Sequence, residues 1–167
     1  MGTSLTNYDV TEDSLNLRDA LDHILETVVV IYEAHNVPLP SRRYWKMGRP
    51  SEDCEQVVVS FLQMYLGAPG DQATAPQPCT GPRTAVFNIS VSRNSEIGVN
   101  GKAPVPAKIM DAAAFSAVDV WVLMDALQAF NTWGDGMPGL GVIATVSAPE
   151  ESGGLQTVNL NLTISIP

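Results

Sequence analysis

The densest group of cations in this chain lies in the segment LPSRRYWKMGRP, residues 39–50. Four of the nine Lys and Arg residues fall within eight positions there and surround two aromatic residues: Arg42, Arg43, Lys46 and Arg49 around Tyr44 and Trp45. Cations interleaved with aromatic rings are typical of surfaces that bind nucleic acids. The same cations could pair with acids of a neighbouring subunit, or keep an edge strand solvated and resistant to aggregation. All three interpretations are open from this segment alone.

The whole chain is acidic, with eighteen Asp and Glu residues against nine Lys and Arg residues and a formal net charge of −9. Attraction to phosphates requires a net basic face, so this charge disfavours non-specific binding of nucleic acids. It is compatible with a protein that lies near DNA without binding to it.

A literal G-x-G-x-x-G pattern occurs at Gly134, Gly136 and Gly139. A dinucleotide site requires that pattern to follow a strand and to begin a helix. Here an expected helix precedes the pattern, an expected strand follows it, and Pro138 lies inside it. The pattern therefore predicts a long helix-to-strand loop over 134–141 and no cofactor.

Other groups capable of catalysis are few and dispersed. His23 is expected on the polar side of a helix, and His35 in the last turn of that helix, where the helix dipole favours a cation. The acids Glu52, Asp53 and Glu55 are interpreted as the charged start of a strand rather than as a metal or acid–base cluster. With no nucleophile motif and no P-loop lysine, the chain is predicted not to be an enzyme and to use no cofactor or metal.

The two cysteines, Cys54 and Cys79, lack the paired spacing of a zinc site. Cys54 is expected at the far end of a strand, whereas Cys79 comes only four residues before the return strand. A disulfide would require the intervening loop to fold back along the sheet, so two free thiols are expected.

Length and hydropathy indicate one globular domain, because 167 residues with 45% hydrophobic content are enough for a substantial core. No apolar run is expected to reach the roughly 20 residues that span a bilayer, so no membrane association is predicted. The first residues have neither a basic start nor an apolar stretch, so a signal peptide is not predicted. Residues 1–10 are expected to form a flexible N-terminal tail.

A first helix is predicted from Thr11 or Asp13 to His35, because apolar residues recur there on one face at about 100° per residue. The apolar positions are Leu17, Leu21, Ile24, Leu25, Val28, Ile31 and Tyr32. Four acids share another face and form what we call the acidic ridge: Asp19, Asp22, Glu26 and Glu33. The segment therefore predicts an amphipathic helix that ends before Pro38.

A second helix is predicted from APVPAK, at 103–108, to Trp133, with Gly134 as its C-cap. One apolar face is expected to pack on the sheet: Ile109, Ala113, Val120, Leu123, Met124 and Leu127. The opposite face mixes acids with apolar residues: Asp111, Asp119 and Asp125 with Phe115, Val118 and Val122. Exposed apolar residues among solvated acids are typical of a surface that contacts a partner.

Strands are predicted at 42–47, 54–66, 84–92, 141–148 and 157–166 from their alternation and their content of β-branched residues. In the last strand the residues opposite the apolar ones are polar but uncharged, a face that another subunit or water could cover. The loop 67–83 is rich in Pro and Gly and is long enough to be functional. The order α-β-β-β-α-β-β predicts a single α+β domain over 1–167, with one antiparallel-rich mixed sheet flanked by two helices.

Several segments of the chain resemble those of a known family. VPLPSRRYWKMG, DCEQVVVSFLQMYLGAPG and PQPCTGPRTAVFNISVSR are followed by an Ala-rich helix and a terminal hairpin. Together they resemble the tail terminator proteins of long-tailed, siphovirus-type phages that infect actinobacteria. The resemblance extends over residues 15–167 and implies a small α+β viral structural protein that assembles as a hexameric ring.

Such a ring lies at the head-proximal end of the virion tail, where it caps the major tail tube protein, stops its polymerisation and provides the surface for the head–tail connector protein. The resemblance further implies that DNA passes through the lumen without specific binding and that assembly takes place in the host cytoplasm. A ring requires a heterologous interface between unlike surfaces. The residues expected at this subunit interface are Arg42, Arg43, Trp45, Lys46, Arg49, Asp19, Asp22, Glu26, Glu33, Asp111, Phe115, Val118, Asp119 and Val122.

The long loops 67–83 and 134–141 are expected to contact the tail tube or the connector and to become ordered there. The residues expected at this contact are Pro69, Asp71, Pro76, Pro78, Asp135 and Met137. Two other functions remain open, a head–tail stopper ring and a small nucleic-acid-binding regulator that uses the cationic segment.

Overall fold

Two helices and six strands form the part of the chain that this computed structural model describes, namely residues 17–51, 54–70, 83–95, 105–133 and 142–166. In chain order they are α1 Leu17–Ala34, β1 Arg43–Met47, β2 Gln56–Leu66, β3 Arg83–Asn94, α2 Pro106–Trp133, β4 Val142–Val146, β5 Glu150–Ser152 and β6 Leu155–Ile166. The predicted α+β class and the order of helices and strands are confirmed. The short strand β5, in the segment expected to be a turn, was not predicted. The expected tail 1–10 and loop 134–141 lie outside the described residues.

The strands form one mixed sheet in the order β1-β2-β3-β6-β4, and β5 pairs with β6 beyond the end of β4. The β1–β2 pair is parallel, whereas every other pair is antiparallel. In the described part of the sheet, β1 therefore lies at one edge, while β4 and β5 together lie at the other. The expectation of an antiparallel-rich mixed sheet is confirmed.

The core lies between the two helices and one face of the sheet, which we call the helix face. Alternate residues of the central strands are buried there in register, such as Val59 opposite Ile89 and Ile89 opposite Leu160. This follows from the two-residue period of a strand, which sends successive side chains to opposite faces. α1 packs over β1 and β2, whereas α2 packs over β3, β6 and β4, and the two helices also touch each other.

The chain reverses direction between β5 and β6 in a tight hairpin. Ser152 and Leu155 are paired across a two-residue loop of Gly153 and Gly154, whose φ angles are 58° and 83°. Positive φ at both central positions is the requirement of a type I′ turn, which glycine meets without steric cost. Asn36, two residues after the end of α1 at Ala34, also has a positive φ, of 54°.

α2 is long and apolar enough over Pro106–Phe130 to cross a membrane by length and composition alone, with a mean hydropathy of 1.4. This corrects the expectation that no apolar run reaches that length. The helix packs against three strands of the sheet, and a core helix of a globular protein has the same length and composition.

Candidate functional site

The outward face of α2 carries a continuous row of exposed apolar side chains, which we call the α2 stripe: Met110, Ala113, Ala114, Ala117, Trp121 and Met124. Trp121 is 74% exposed and Met110 is 70% exposed. At about 100° per residue these six positions fall within one side of the helix. Large apolar side chains contiguous on a surface indicate a contact with another molecule.

The buried side of α2 differs from the expected one. Asp119 and Val122, which were expected on a partner surface, are only 1% and 2% exposed and lie in the core. Met124 and Ile109, which were expected to pack on the sheet, are instead 45% and 44% exposed. Val120, Leu123 and Leu127 do pack on the core as expected. The predicted orientation of α2 is therefore only partly right, and Asp119 and Val122 are buried within their own subunit.

Asp119 is buried because the fold supplies partners for its carboxylate. Arg93 of β3 donates from Nε to Oδ2 at 2.6 Å and from Nη2 to Oδ1 at 2.7 Å, a bidentate pair. The Tyr32 hydroxyl of α1 donates to Oδ1 at 3.1 Å. A carboxylate held by two hydrogen bonds from one guanidinium is strongly oriented, so this cluster joins both helices to the sheet.

The electrostatics of this cluster follow from its burial. Desolvation, with the Asp119 carboxylate beside it, raises the pKa of the Tyr32 hydroxyl far above its ordinary value. Burial by itself would lower the pKa of Arg93, but the hydrogen bonds and negative charge of Asp119 outweigh it and raise the pKa. Tyr32 therefore stays neutral and Arg93 stays charged at any physiological pH.

Sequence reasoning missed Arg93 and assigned Tyr32 only to the apolar face of α1. Both contact Asp119 across long separations, 26 residues for Arg93 and 87 for Tyr32. The available signal was a lone aspartate in the apolar stretch AVDVWVL, because an acid among apolar residues is either exposed or paired. Nothing in the sequence identified which of the nine cations would pair with it.

Phe115, Val118 and Asp111 of the predicted partner surface do lie at the surface of α2. Phe115 is half-exposed, and the Arg93 guanidinium lies 5.7 Å from the centre of its ring. Val118 and Asp111 are exposed. A cleft of about 360 Å³ opens beside Phe115 and Asp111 at the N-terminal part of α2.

The cationic segment forms β1 and the residues next to it, at one edge of the described sheet. We call Arg42, Arg43, Lys46, Met47 and Arg49 the β1 edge. Its two arginines nearest the strand start have contacts within the subunit. Arg43 donates from Nε to the Pro40 carbonyl oxygen at 3.0 Å, and Arg42 lies 5.2 Å from the centre of the Tyr44 ring. Met47 is exposed between these cations.

Trp45 was expected at the subunit interface, but it is half-buried against α1. Its Nε1 donates to Asp22 Oδ1 at 2.6 Å, and its ring packs on the core. Asp22 also lies 3.6 Å from the Arg18 guanidinium. The Trp45–Asp22 hydrogen bond thus attaches α1 to β1 within one subunit.

The other acids of the acidic ridge, Asp19, Glu26 and Glu33, are exposed on α1. His23 is exposed as well. His35 lies between the helices, with its Nε2 at 2.9 Å from Asp125 Oδ2 of α2. The exposed surface formed by the two helices is therefore acidic along α1 and apolar along α2.

The face of the sheet opposite the helices is polar and uncharged at its centre. Ser90 donates to Asn88 Oδ1 and stands 2.7 Å from Asn159 Oδ1, and Asn88 donates to Asn161 Oδ1 at 3.0 Å. A groove of about 310 Å³ runs over these side chains. The buried Ser60 hydroxyl has no hydrogen-bond partner within the described part of the chain.

Few of the loop residues expected to contact a tube or connector are described. Pro69 is half-buried near the end of β2. The other predicted contact residues lie outside the described residues: Asp71, Pro76, Pro78, Asp135 and Met137. The same is true of Cys79, Glu52, Asp53 and the three glycines of the G-x-G-x-x-G pattern.

Within the described ranges, no three His, Cys, Asp or Glu residues are grouped closely enough to hold a metal ion. Cys54 is a free thiol that accepts from Arg42 Nη1 at 2.9 Å.

Comparison with known proteins gave no match to any protein-family model and no match among curated proteins.

Proposed function

We propose that this chain is a tail terminator, a ring-forming structural protein that caps the phage tail tube, stops its polymerisation and provides the surface for head attachment. The observation that carries the proposal is the α2 stripe. One side of α2 is buried in the core of its own subunit, while the opposite side exposes Trp121, Met110 and Met124 to solvent.

Burial of the α2 stripe in an assembly is favourable on physical grounds. Each apolar Å² removed from water contributes about 25 cal/mol, and aromatic residues such as Trp121 and flexible ones such as Met110 are enriched in protein interfaces. A protein that works as a monomer gains nothing from exposing such residues. An assembly protein hides them when its copies join.

The charge distribution supports the same proposal. A terminator surrounds a DNA channel, and each phosphate that it neutralised would slow the passage of DNA. The chain carries a net charge of −9, and α1 exposes Asp19, Glu26 and Glu33. Four of its nine cations lie in one short segment at the β1 edge, a concentration that suits a specific contact.

A head–tail stopper ring shares the surfaces described above, and the two functions differ in their effect on the particle. Phage particles produced without this protein, viewed by electron microscopy, distinguish them. Loss of a terminator is expected to give tails of heterogeneous and excessive length. Heads that leak DNA beside free tails of normal length would instead identify a stopper and contradict the proposal.

A nucleic-acid-binding regulator is the second candidate, and the exposed cations of the β1 edge are the observation that favours it. The aromatic residues of that segment are engaged within the subunit, since Trp45 hydrogen-bonds to Asp22 and Tyr44 to Gln56 Oε1 at 3.0 Å. They are therefore poorly placed to stack on bases. Tight, salt-sensitive filter binding of DNA that is lost in Arg42→Glu/Arg43→Glu would favour the regulator over the terminator.

A further inference from the structure

The α2 stripe is flanked by acids and lacks cations. Asp111 and Asp125 lie on the same flank of the helix, because fourteen residues make almost four full turns. No Lys or Arg occurs from Ile109 to the end of the helix at Trp133. Whatever covers this face therefore meets an apolar surface about 21 Å long, at 1.5 Å per residue from Met110 to Met124. Two acids lie along one side of it: Asp125 beside His35, and Asp111 in a cleft that Lys108 and Arg93 also line.

The β1 edge has the complementary composition. It exposes one large apolar residue, Met47, beside the exposed Arg43 and Arg49 and the half-buried Lys46. Arg49 also lines the groove over the polar face of the sheet. Five residues of strand extend about 16 Å at 3.3 Å per residue, which is comparable to the length of the stripe. A strand at the edge of a sheet also presents unpaired backbone groups, and proteins often cover such an edge with a helix.

One copy cannot bring its own two surfaces together. α1 packs over β1 and β2, whereas α2 packs over β3, β6 and β4. The β1 edge and α2 therefore belong to opposite ends of the sheet. The two surfaces are complementary but lie far apart in one subunit. They can therefore meet only between different subunits, in a heterologous, head-to-tail contact.

A symmetric contact between two α2 helices is less favourable. Asp111 and Asp125 are equally distant from Val118, at the middle of the exposed face. An antiparallel two-fold contact centred there would place Asp111 of one copy near Asp125 of the other. Like charges in contact at an interface cost free energy, so charge complementarity favours the unlike pair of surfaces.

We propose that copies of this chain join head to tail, with the α2 stripe of one copy packed on the β1 edge of the next. Trp121 and Met124 then cover Met47, while Asp111 and Asp125 approach the cations Lys46 and Arg49. This deepens the proposed ring function by naming the two surfaces that meet, and it rests on that function for the closure of the chain of copies into a ring.

Cross-linking between two different single-cysteine variants tests the pairing directly. In a Cys54→Ser/Cys79→Ser background, Met47→Cys and Ala117→Cys are prepared separately, mixed with purified tail tubes and oxidised mildly. The proposal expects covalent dimers in the mixture and none with either variant alone. Dimers of Ala117→Cys alone would identify a symmetric α2 contact and overturn it, as would an absence of cross-links in the mixture.

Charge reversal gives an independent test that leaves the core intact. Lys46→Glu/Arg49→Glu and Asp111→Lys/Asp125→Lys are each expected to weaken assembly at least about tenfold, as measured by light scattering with tail tubes, and the quadruple variant to recover most of it. Arg83→Glu reverses an exposed cation outside both surfaces and is expected to leave assembly unchanged. Equal loss in this control, or no recovery in the quadruple variant, overturns the pairing.

These results separate the pairing from the function. Rings that form without the Met47–Ala117 cross-link, together with overlong tails in particles lacking the protein, would overturn the pairing and leave the terminator function standing. The cross-link together with normal tail lengths would support the pairing and contradict the function.

Discussion

The two helices of this protein cover the same face of the sheet but differ in how they present their outer sides. α1 buries Leu21, Ile24 and Val28 and exposes acids. α2 buries Leu123, Ala126 and Phe130 and exposes Trp121 and the rest of the α2 stripe. The outer side of α1 is therefore mostly charged, with Val30 as an exposed apolar residue, whereas that of α2 is largely apolar and is not covered by the described residues.

The buried ion pair under α2 is expected to give the largest loss of stability. Asp119→Ala would leave the Arg93 guanidinium, 14% exposed in its side chain, without a carboxylate partner, and is expected to cost about 3–5 kcal/mol of unfolding free energy in urea denaturation. Asp125→Ala removes an acid from the exposed side of the same helix and is expected to cost at most about 1 kcal/mol. Equal losses in the two variants would mean that α2 is not oriented as described.

Replacement of that pair by apolar side chains would show whether its role is structural. Arg93→Met/Asp119→Leu removes both charges from the core, and such exchanges are often neutral or stabilising. The double variant is therefore expected to recover part of the stability lost in Asp119→Ala, because the buried Tyr32 hydroxyl still lacks its carboxylate acceptor. A double variant as unstable as Asp119→Ala would contradict the assignment of the loss to an uncompensated charge.

Two neighbouring residues of α2 sharpen the comparison between its sides. Leu123 is fully buried and Met124 is 45% exposed. Leu123→Ala is expected to destabilise the subunit by about 2–5 kcal/mol, because it removes core volume and leaves a cavity. Met124→Ala is expected to change stability by less than about 0.5 kcal/mol in the monomer. Chemical denaturation of both variants at one protein concentration measures the difference. Equal losses would match the sequence expectation that both residues pack on the sheet, and would contradict the orientation of α2 described above.

The two helices also show which features of the fold could be predicted from the sequence. The apolar residues of α1 fall on one side, so their period determined its buried face, and the structure buries Leu21, Ile24, Val28 and Tyr32. The apolar residues of α2 occur on every side, so their period did not select one face. The strands were predictable because the alternation in β3 and β6 requires only local information.

Tyr32 links the two helices, and it is expected to affect how the free energy of unfolding changes with pH above about pH 8. Its pKa is raised in the folded state, so the native protein keeps a proton that the unfolded chain releases above its ordinary pKa of about 10. This contribution is complete below about pH 10 and is lost as the pH rises above it. Urea midpoints measured between about pH 8 and pH 11 are expected to fall less steeply in Tyr32→Phe than in the unchanged protein.

Tyr65→Phe is the matched control for this measurement, because Tyr65 lies at the end of β2 and its half-exposed side chain donates weakly to the Ala68 carbonyl oxygen, at 3.5 Å. Parallel declines in the unchanged protein and in Tyr32→Phe would contradict a buried, neutral Tyr32.

The smallest expected effect belongs to the attachment of α1 to β1. Asp22→Ala removes the acceptor of the Trp45 Nε1 hydrogen bond at a partly exposed site, and a loss of about 0.5–1.5 kcal/mol is expected. Asp22→Asn keeps an oxygen acceptor and is expected to retain most of that stability. Equal losses in thermal denaturation would indicate that the negative charge of Asp22, rather than its hydrogen bond, stabilises this contact.

The sequence by itself determined the class of fold, the order of the helices and strands, the buried side of α1 and the alternation in β3 and β6. These depend on periodicity, turn residues and charge, which are properties of short segments. The tertiary structure alone decided that Asp119 faces inward, since its carboxylate is stabilised there by Arg93 and Tyr32 from distant parts of the chain. It also decided which side of α2 is left to the solvent, because a helix that is apolar all round takes its orientation from the partners that the rest of the fold supplies.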